Sequence, residues 1–274
     1  MDSQLDAPVL AVHWYGRPAA VAPALVLFHG LGDSGQCWPD AVARWSPRYC
    51  IAGVDALGHG ESPRFTPAQL VAADPVEEMY AAAEATLASI VAECKDSVVV
   101  VGHSMGGGIA GALAARRPDL VRAAVLEEPA WRDPQYRVVS DEIIAERLAD
   151  CRDYRQDYAA ALERGRTENP GWPEVEYEPW ARAKTLVDLD FLALGVASFT
   201  HPWERLVEAL EVPTLALTGD RLDVLVTDAI RRRAEALHNP NLAIAVIPGA
   251  AHCVRREQPD AYHTIVDRFL VTSL

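Results

Sequence analysis

The stretch SVVVVGHSMGGGIAGALAARRPD (residues 97–119) decides the fold. Four consecutive valines make a β-rich run that is apolar on both faces, the pattern of a strand buried inside a parallel sheet. The glycine- and alanine-rich continuation reads as a helix, so the chain must turn sharply at His103, Ser104 and Met105. A serine at such a turn is strained, and Gly102 and Gly106, two places before and after it, leave room for neighbouring backbone. Ser104 Oγ then projects from the sheet edge, with the Met105 N–H beside it at a helix start.

Working outward, the same alternation of strand, turn and helix recurs. ALVLFHG (24–30) is a strand ending in glycine, and Asp33 to Trp45 reads as the helix after it. YCIAGVDALGHG (49–60) is a second strand, and Asp74 opens a long helix with acidic residues in its first turns, as the helix dipole favours. VRAAVLEEP (121–129), TLALTGD (214–220) and IAVIPG (244–249) are further strands, with helices at 227–237 and from Pro259 onward. VLAVHWYG (9–16) would add an edge strand. Strands alternating with helices imply a mostly parallel sheet covered on both faces, an α/β fold.

The alternation stops between residues 130 and 212. That stretch is rich in tryptophan, tyrosine and phenylalanine, has prolines at 134, 170, 173, 179 and 202, and contains no valine-rich run. It is too long for a plain connection. The expected organisation is a core of 1–129 and 213–274, with 130–212 inserted as a helical lid over the carboxyl edge of the sheet.

Composition narrows the function. The 274 residues are half hydrophobic and 23% charged, with a formal net charge of −14. A chain so acidic repels phosphate backbones and anionic lipid, so neither nucleic acid nor a membrane is an expected partner, and polyanionic substrates are not expected either. No window of the sequence is long and apolar enough to span a bilayer, and the N-terminus shows no secretory pattern. Five cysteines stand singly, which suits reduced thiols in a cytoplasm.

A serine nucleophile needs a base. His252, in IPGAAHCVRREQP, follows the last strand and a glycine turn, which brings an imidazole to the same sheet edge as Ser104. An acid should orient that imidazole and should lie between serine and histidine in the chain. Asp223 in TGDRLDVLV is the first choice; Asp220, and Glu127 or Glu128 at the end of the preceding strand, are the alternatives. Two N–H donors must face the developing oxyanion: Met105 supplies one, and Leu31, placed by the turn at Gly30, supplies the other. Gly30 and Trp131 are the positions expected to touch substrate.

The motifs HGLGDSGQCW, DALGHGES, GHSMGG, TGDRLD and PGAAHCVRREQP, in that order, resemble the α/β-hydrolase fold superfamily, in particular its lid-bearing serine hydrolases of the esterase and lactonase type. The resemblance covers nearly all the chain outside 130–212. It implies an eight-stranded, mostly parallel sheet, Ser104 as nucleophile, His252 as base, and Leu31 and Met105 as oxyanion donors. In TGDRLD the family's usual acid position falls on Leu222, one place before Asp223. Some relatives carry the acid after the strand corresponding to VRAAVLEE, which keeps Glu127 and Glu128 in play.

The expected function is hydrolysis of a carboxylic ester or lactone, with an apolar part of moderate size, through an acyl-enzyme and without cofactor or metal. An amidase or cofactor-free perhydrolase on the same triad is the alternative, as is a slow-turnover ligand-binding protein of the receptor type. The glycines of GHSMGGG are not a phosphate loop, because no Lys-Ser/Thr follows them. The sequence does not give the oligomeric state.

Overall fold

A computed structural model describes residues 8–274. Its strands are β1 (Val12–Gly16), β2 (Ala24–Phe28), β3 (Cys50–Val54), β4 (Val98–His103), β5 (Val121–Glu127), β6 (Thr214–Gly219) and β7 (Leu242–Ile247). They form one sheet in the order β1-β3-β2-β4-β5-β6-β7. Every pairing is parallel except β1 with β3, which makes β1 the antiparallel edge strand. The sheet has seven strands among the described residues, not the eight implied by the resemblance. The reason is already visible in the sequence, which contains seven β-rich runs and no eighth to build from.

The four valines of β4 show how the core is built. Val98 and Val100 point to one face and join Val26, Ala52, Ala124 and Ala216; Val99 and Val101 point to the other and join Leu25, Ile51, Val125 and Leu217. This is the two-residue period of a strand covered on both sides. Helices α1 (Pro39–Trp45) and, at the end of the chain, α11 (Val254–Glu257) and α12 (Pro259–Ser273) contribute to the second cluster. The first is completed by α3 (Pro75–Cys94), α4 (Met105–Arg116) and α10 (Asp228–Ala236). A short α2 (Pro67–Leu70) precedes α3.

Local chemistry explains the boundaries. Asp74 caps α3 by accepting the Val76 N–H at 3.1 Å, with Pro75 in the first turn. The helix read from Asp33 begins only at Pro39. The intervening loop is held in irregular form by the Gly35 N–H, which donates to Asp55 Oδ1 at 2.6 Å.

Between β5 and β6 lie α5 (Asp141–Gln156), α6 (Tyr158–Glu168), α7 (Glu174–Leu186), α8 (Leu189–Leu192) and α9 (Glu204–Glu208). The segment divides in two by its packing. Phe191, Phe199, Trp203, Val207 and Val212 belong to the main core. Helices α5, α6 and α7 instead share small satellite clusters centred on Cys151 and Tyr154.

Candidate active site

The site forms where β4 and β5 end. Ser104 sits between β4 and α4 with φ 54° and ψ −116°, a left-handed conformation that a non-glycine residue adopts only under strain. The flanking glycines make this possible. A side chain at Gly102 would run into the Gly106 carbonyl, and one at Gly106 would run into the carbonyls of Phe28 and His29. Backbone bonds fix the turn: the Ser104 N–H donates to Glu127 O at 2.9 Å, and its carbonyl accepts from Gly108 and Ala130, each at 3.0 Å.

The imidazole of His252 is about three-quarters shielded, with 27% of its side chain exposed, and its Nε2 lies 3.0 Å from Ser104 Oγ. On the ring's other side, Nδ1 lies 3.3 Å from Glu128 Oε2. The structure thus brings Glu128 to the histidine, and not Asp223, the first choice from sequence. The cause lies in how the two strands end. Glu128 continues β5 by donating its N–H to Leu217 O at 2.8 Å, then takes a left-handed φ of 45°. Its fully buried carboxylate also accepts from the Thr218 hydroxyl and the Leu225 and Val226 N–H groups. After β6, the N–H groups of Asp220 and Arg221 both donate to Ala250 O at 3.1 Å, which ends the strand early. Asp220 is exposed and accepts the Gly249 N–H at 2.7 Å, a turn-stabilising role, and Asp223 is exposed and makes no bond to His252. Glu127 points elsewhere: it accepts the Arg255 N–H at 2.7 Å, and burial raises its carboxyl above the usual range.

Two other histidines position the site, a role the sequence did not reveal. Burial, with help from the neighbouring His252, pushes His103 well below the ordinary histidine value. The neutral ring donates from Nε2 to the His252 carbonyl at 3.1 Å. His29 Nε2 accepts the Ala56 N–H at 2.9 Å, so its Nδ1–H is the donor to Gly30 O at 2.8 Å. That bond anchors the loop carrying Leu31.

A buried ion network lies just behind. Arg255 Nη1 donates to Glu176 Oε1 at 2.5 Å and Arg256 Nε to Glu176 Oε2 at 3.0 Å; Arg256 Nη2 reaches Asp33 Oδ2 at 3.0 Å. Burial raises the Asp33 carboxyl, but Arg256 and then Lys184 outweigh it and hold the group down to about 2. The network joins α7 to the loop after β2 and to the turn that carries His252. Its signal in the sequence was the RRE run three residues after His252, whose partners lie too far away in the chain to be read locally.

Two cavities open beside Ser104 and His252, of about 230 and 220 Å³. Leu31 and Arg147 line both; Gly30, Trp180, Lys184 and Leu192 add to the first, and Arg132, Ala197, Asp223 and Leu225 to the second. Trp131, expected at the substrate, is instead a core residue. It is buried and stacked on Trp203 at 5.0 Å between ring centroids, and lines neither cavity. The Met105 N–H is the first of α4, where no preceding turn offers it a carbonyl.

Residues 25–264 match the model of the alpha/beta hydrolase family, and the chain belongs to that family. Among curated relatives, a 2-(acetamidomethylene)succinate hydrolase of Mesorhizobium japonicum is 25% identical over 267 residues, 93% of this chain and 90% of the relative. An uncharacterized protein of Mycobacterium tuberculosis is 36% identical, but over only 118 residues, 42% of this chain and about a third (32%) of the relative. In fold, the chain is similar to the crystal structure of an E-2-(acetamidomethylene)succinate hydrolase, with a TM-score of 0.74 at 20% identity, covering 95% of this chain and 94% of the other. No helix among the described residues is long and apolar enough to cross a membrane.

Proposed function

We propose that the protein is a serine hydrolase that cleaves a carboxylic ester or lactone through an acyl-enzyme, with Ser104, His252 and Glu128 as its triad. The supporting observation is the unbroken chain from Ser104 Oγ to His252 Nε2 at 3.0 Å and from His252 Nδ1 to Glu128 at 3.3 Å. In this reading His252 removes the Ser104 proton as Oγ attacks the carbonyl carbon. Glu128 holds the ring with Nδ1 protonated and offsets the charge of the imidazolium. The oxyanion is stabilised by the N–H groups of Leu31 and Met105. His252 then protonates the leaving oxygen and, in the second half-reaction, activates the water that releases the acid.

Helices α5 and α7 act as the lid, because Arg147, Asp150, Cys151, Trp180 and Lys184 wall the first cavity from that side. The apolar part of the substrate rests on Leu31, Leu192, Ala197 and Leu225. The five free cysteines suit a cytoplasmic location.

The test is initial-rate hydrolysis of p-nitrophenyl esters from acetyl to dodecanoyl by wild type and Ser104→Ala. The reading requires turnover by wild type that falls to background in the variant. Equal rates in the two proteins would overturn it.

A further inference from the structure

The walls above Ser104 carry positive charge without the partners such charge normally has. Arg147, on α5, lines both cavities, and its Nη1 is buried with no hydrogen-bond partner. Arg132 lines the second cavity, and its side chain makes neither an ion pair nor a hydrogen bond among the described residues. Burial pushes both guanidinium groups below their ordinary value, and the like charge of Arg132 opposes Arg147 further.

The nearby carboxylates do not answer this charge. Asp33 is bound to Arg256 at 3.0 Å and Asp150 to Arg164 at 3.0 Å. Glu146 lies beside Arg147 on the same helix without reaching ion-pair distance, and Asp223 stands exposed at the edge of the second cavity. Lys184 also lines the first cavity, its Nζ 5.1 Å from the centre of the Trp180 ring, but its charge is partly answered by Asp33. In a chain with a net charge of −14, two guanidinium groups with no ion-pair partner among the described residues thus stand beside the nucleophile.

Taking a guanidinium out of water without a counter-charge opposes folding. Two on adjoining walls are tolerable where a ligand supplies that charge, and a guanidinium fork matches a carboxylate in two parallel bonds. The two cavities share Leu31, Ser104, Arg147 and His252 as walls, and together they reach only the lower part of the roughly 300–1,000 Å³ of a drug-sized ligand site. The space suits a short chain with a polar end, while the leucines and Ala197 accommodate its methylene groups.

We propose that Arg132 and Arg147 hold a carboxylate of the substrate, so that the bond cut at Ser104 belongs to a short half-ester or carboxylated lactone rather than a neutral fatty ester. The choice of bond rests on the hydrolase reading above; the anion subsite does not.

Hydrolysis of monomethyl glutarate and of methyl valerate, followed by pH-stat, compares esters of similar length with and without the carboxylate. The expected kcat/KM ratio favours the anionic ester by about 10- to 100-fold, the range of one or two charge-assisted bonds. It falls toward unity in Arg147→Gln and in Arg132→Gln, and Arg147→Lys restores part of it, which a purely structural role would not do. A ratio near unity in wild type, with both esters cleaved in a Ser104-dependent manner, overturns the anion subsite and leaves the hydrolase reading intact. Calorimetric titration of glutarate into Ser104→Ala covers the case in which neither ester is cleaved. Binding that is lost in the Ser104→Ala, Arg147→Gln double variant then supports the subsite while the ester reading fails; no binding overturns the subsite.

Discussion

Replacing Glu128 with glutamine removes one charge and almost no volume from a fully buried position. The glutamine can keep its oxygen toward His252 Nδ1 and the Leu225 N–H and turn its amide toward the Thr218 hydroxyl, giving up only the long 3.4 Å bond from the Val226 N–H, so the ring tautomer survives. What is lost is the attraction between carboxylate and imidazolium once His252 has taken the serine proton. At 3.3 Å and an effective dielectric of about 20, that attraction is ~5 kcal/mol, which corresponds to about 10³- to 10⁴-fold in kcat. Steady-state hydrolysis of p-nitrophenyl acetate by Glu128→Gln, Asp223→Asn and wild type measures it, with circular-dichroism melts to establish that each variant is folded. Asp223→Asn should stay within about 3-fold, because an exposed carboxylate with no bond to the ring has little to lose. If Asp223→Asn lost more than a hundredfold and Glu128→Gln less than tenfold, the assignment of the acid would be wrong.

The buried ion network gives two further predictions. Asp33 is held at about 2, below its unfolded value of 3.8. The stability it contributes is therefore fully present above about pH 4 and lost as the pH falls toward 2, by ~2 kcal/mol in all. The Tm gap between wild type and Asp33→Asn should narrow across that window and be flat above it; a gap unchanged down to pH 2 would contradict the linkage. Glu176→Gln leaves Arg255 and Arg256 without their shared carboxylate, which should cost about 3–5 kcal/mol in urea unfolding. A loss below about 1 kcal/mol would mean that the pairs add nothing to the attachment of α7.

Much of the site was legible because its signals are local. The valines of β4, the two glycines around Ser104 and the glycine turn before His252 are short-range patterns, each forcing one backbone path. The acid was not legible in this way. TGDRLD places two aspartates after a strand, but the bonds from Asp220 and Arg221 to Ala250 come from a distant loop and turn that segment outward. Glu127 and Glu128 are adjacent and chemically alike. Only the left-handed φ at Glu128 and the partners supplied by Thr218, Leu225 and Val226 decide which of them faces the histidine.

The same limit governed the surroundings of the site. Trp131 read as a pocket residue from its place after β5, but the stacking partner that draws it into the core, Trp203, lies 72 positions on. Net charge is silent in a similar way: a sum over the chain of −14 says nothing of the arginines that α5 and the β5 exit bring over Ser104.

The central claim, that Ser104 is a nucleophile activated by His252 and Glu128, is tested most directly by covalent trapping. Intact-protein mass spectrometry after treatment with a fluorophosphonate should show a single adduct that peptide mapping assigns to Ser104. The adduct should be absent in Ser104→Ala and should form far more slowly in His252→Gln. An unmodified wild-type protein, or an adduct that persists in Ser104→Ala, would contradict the account.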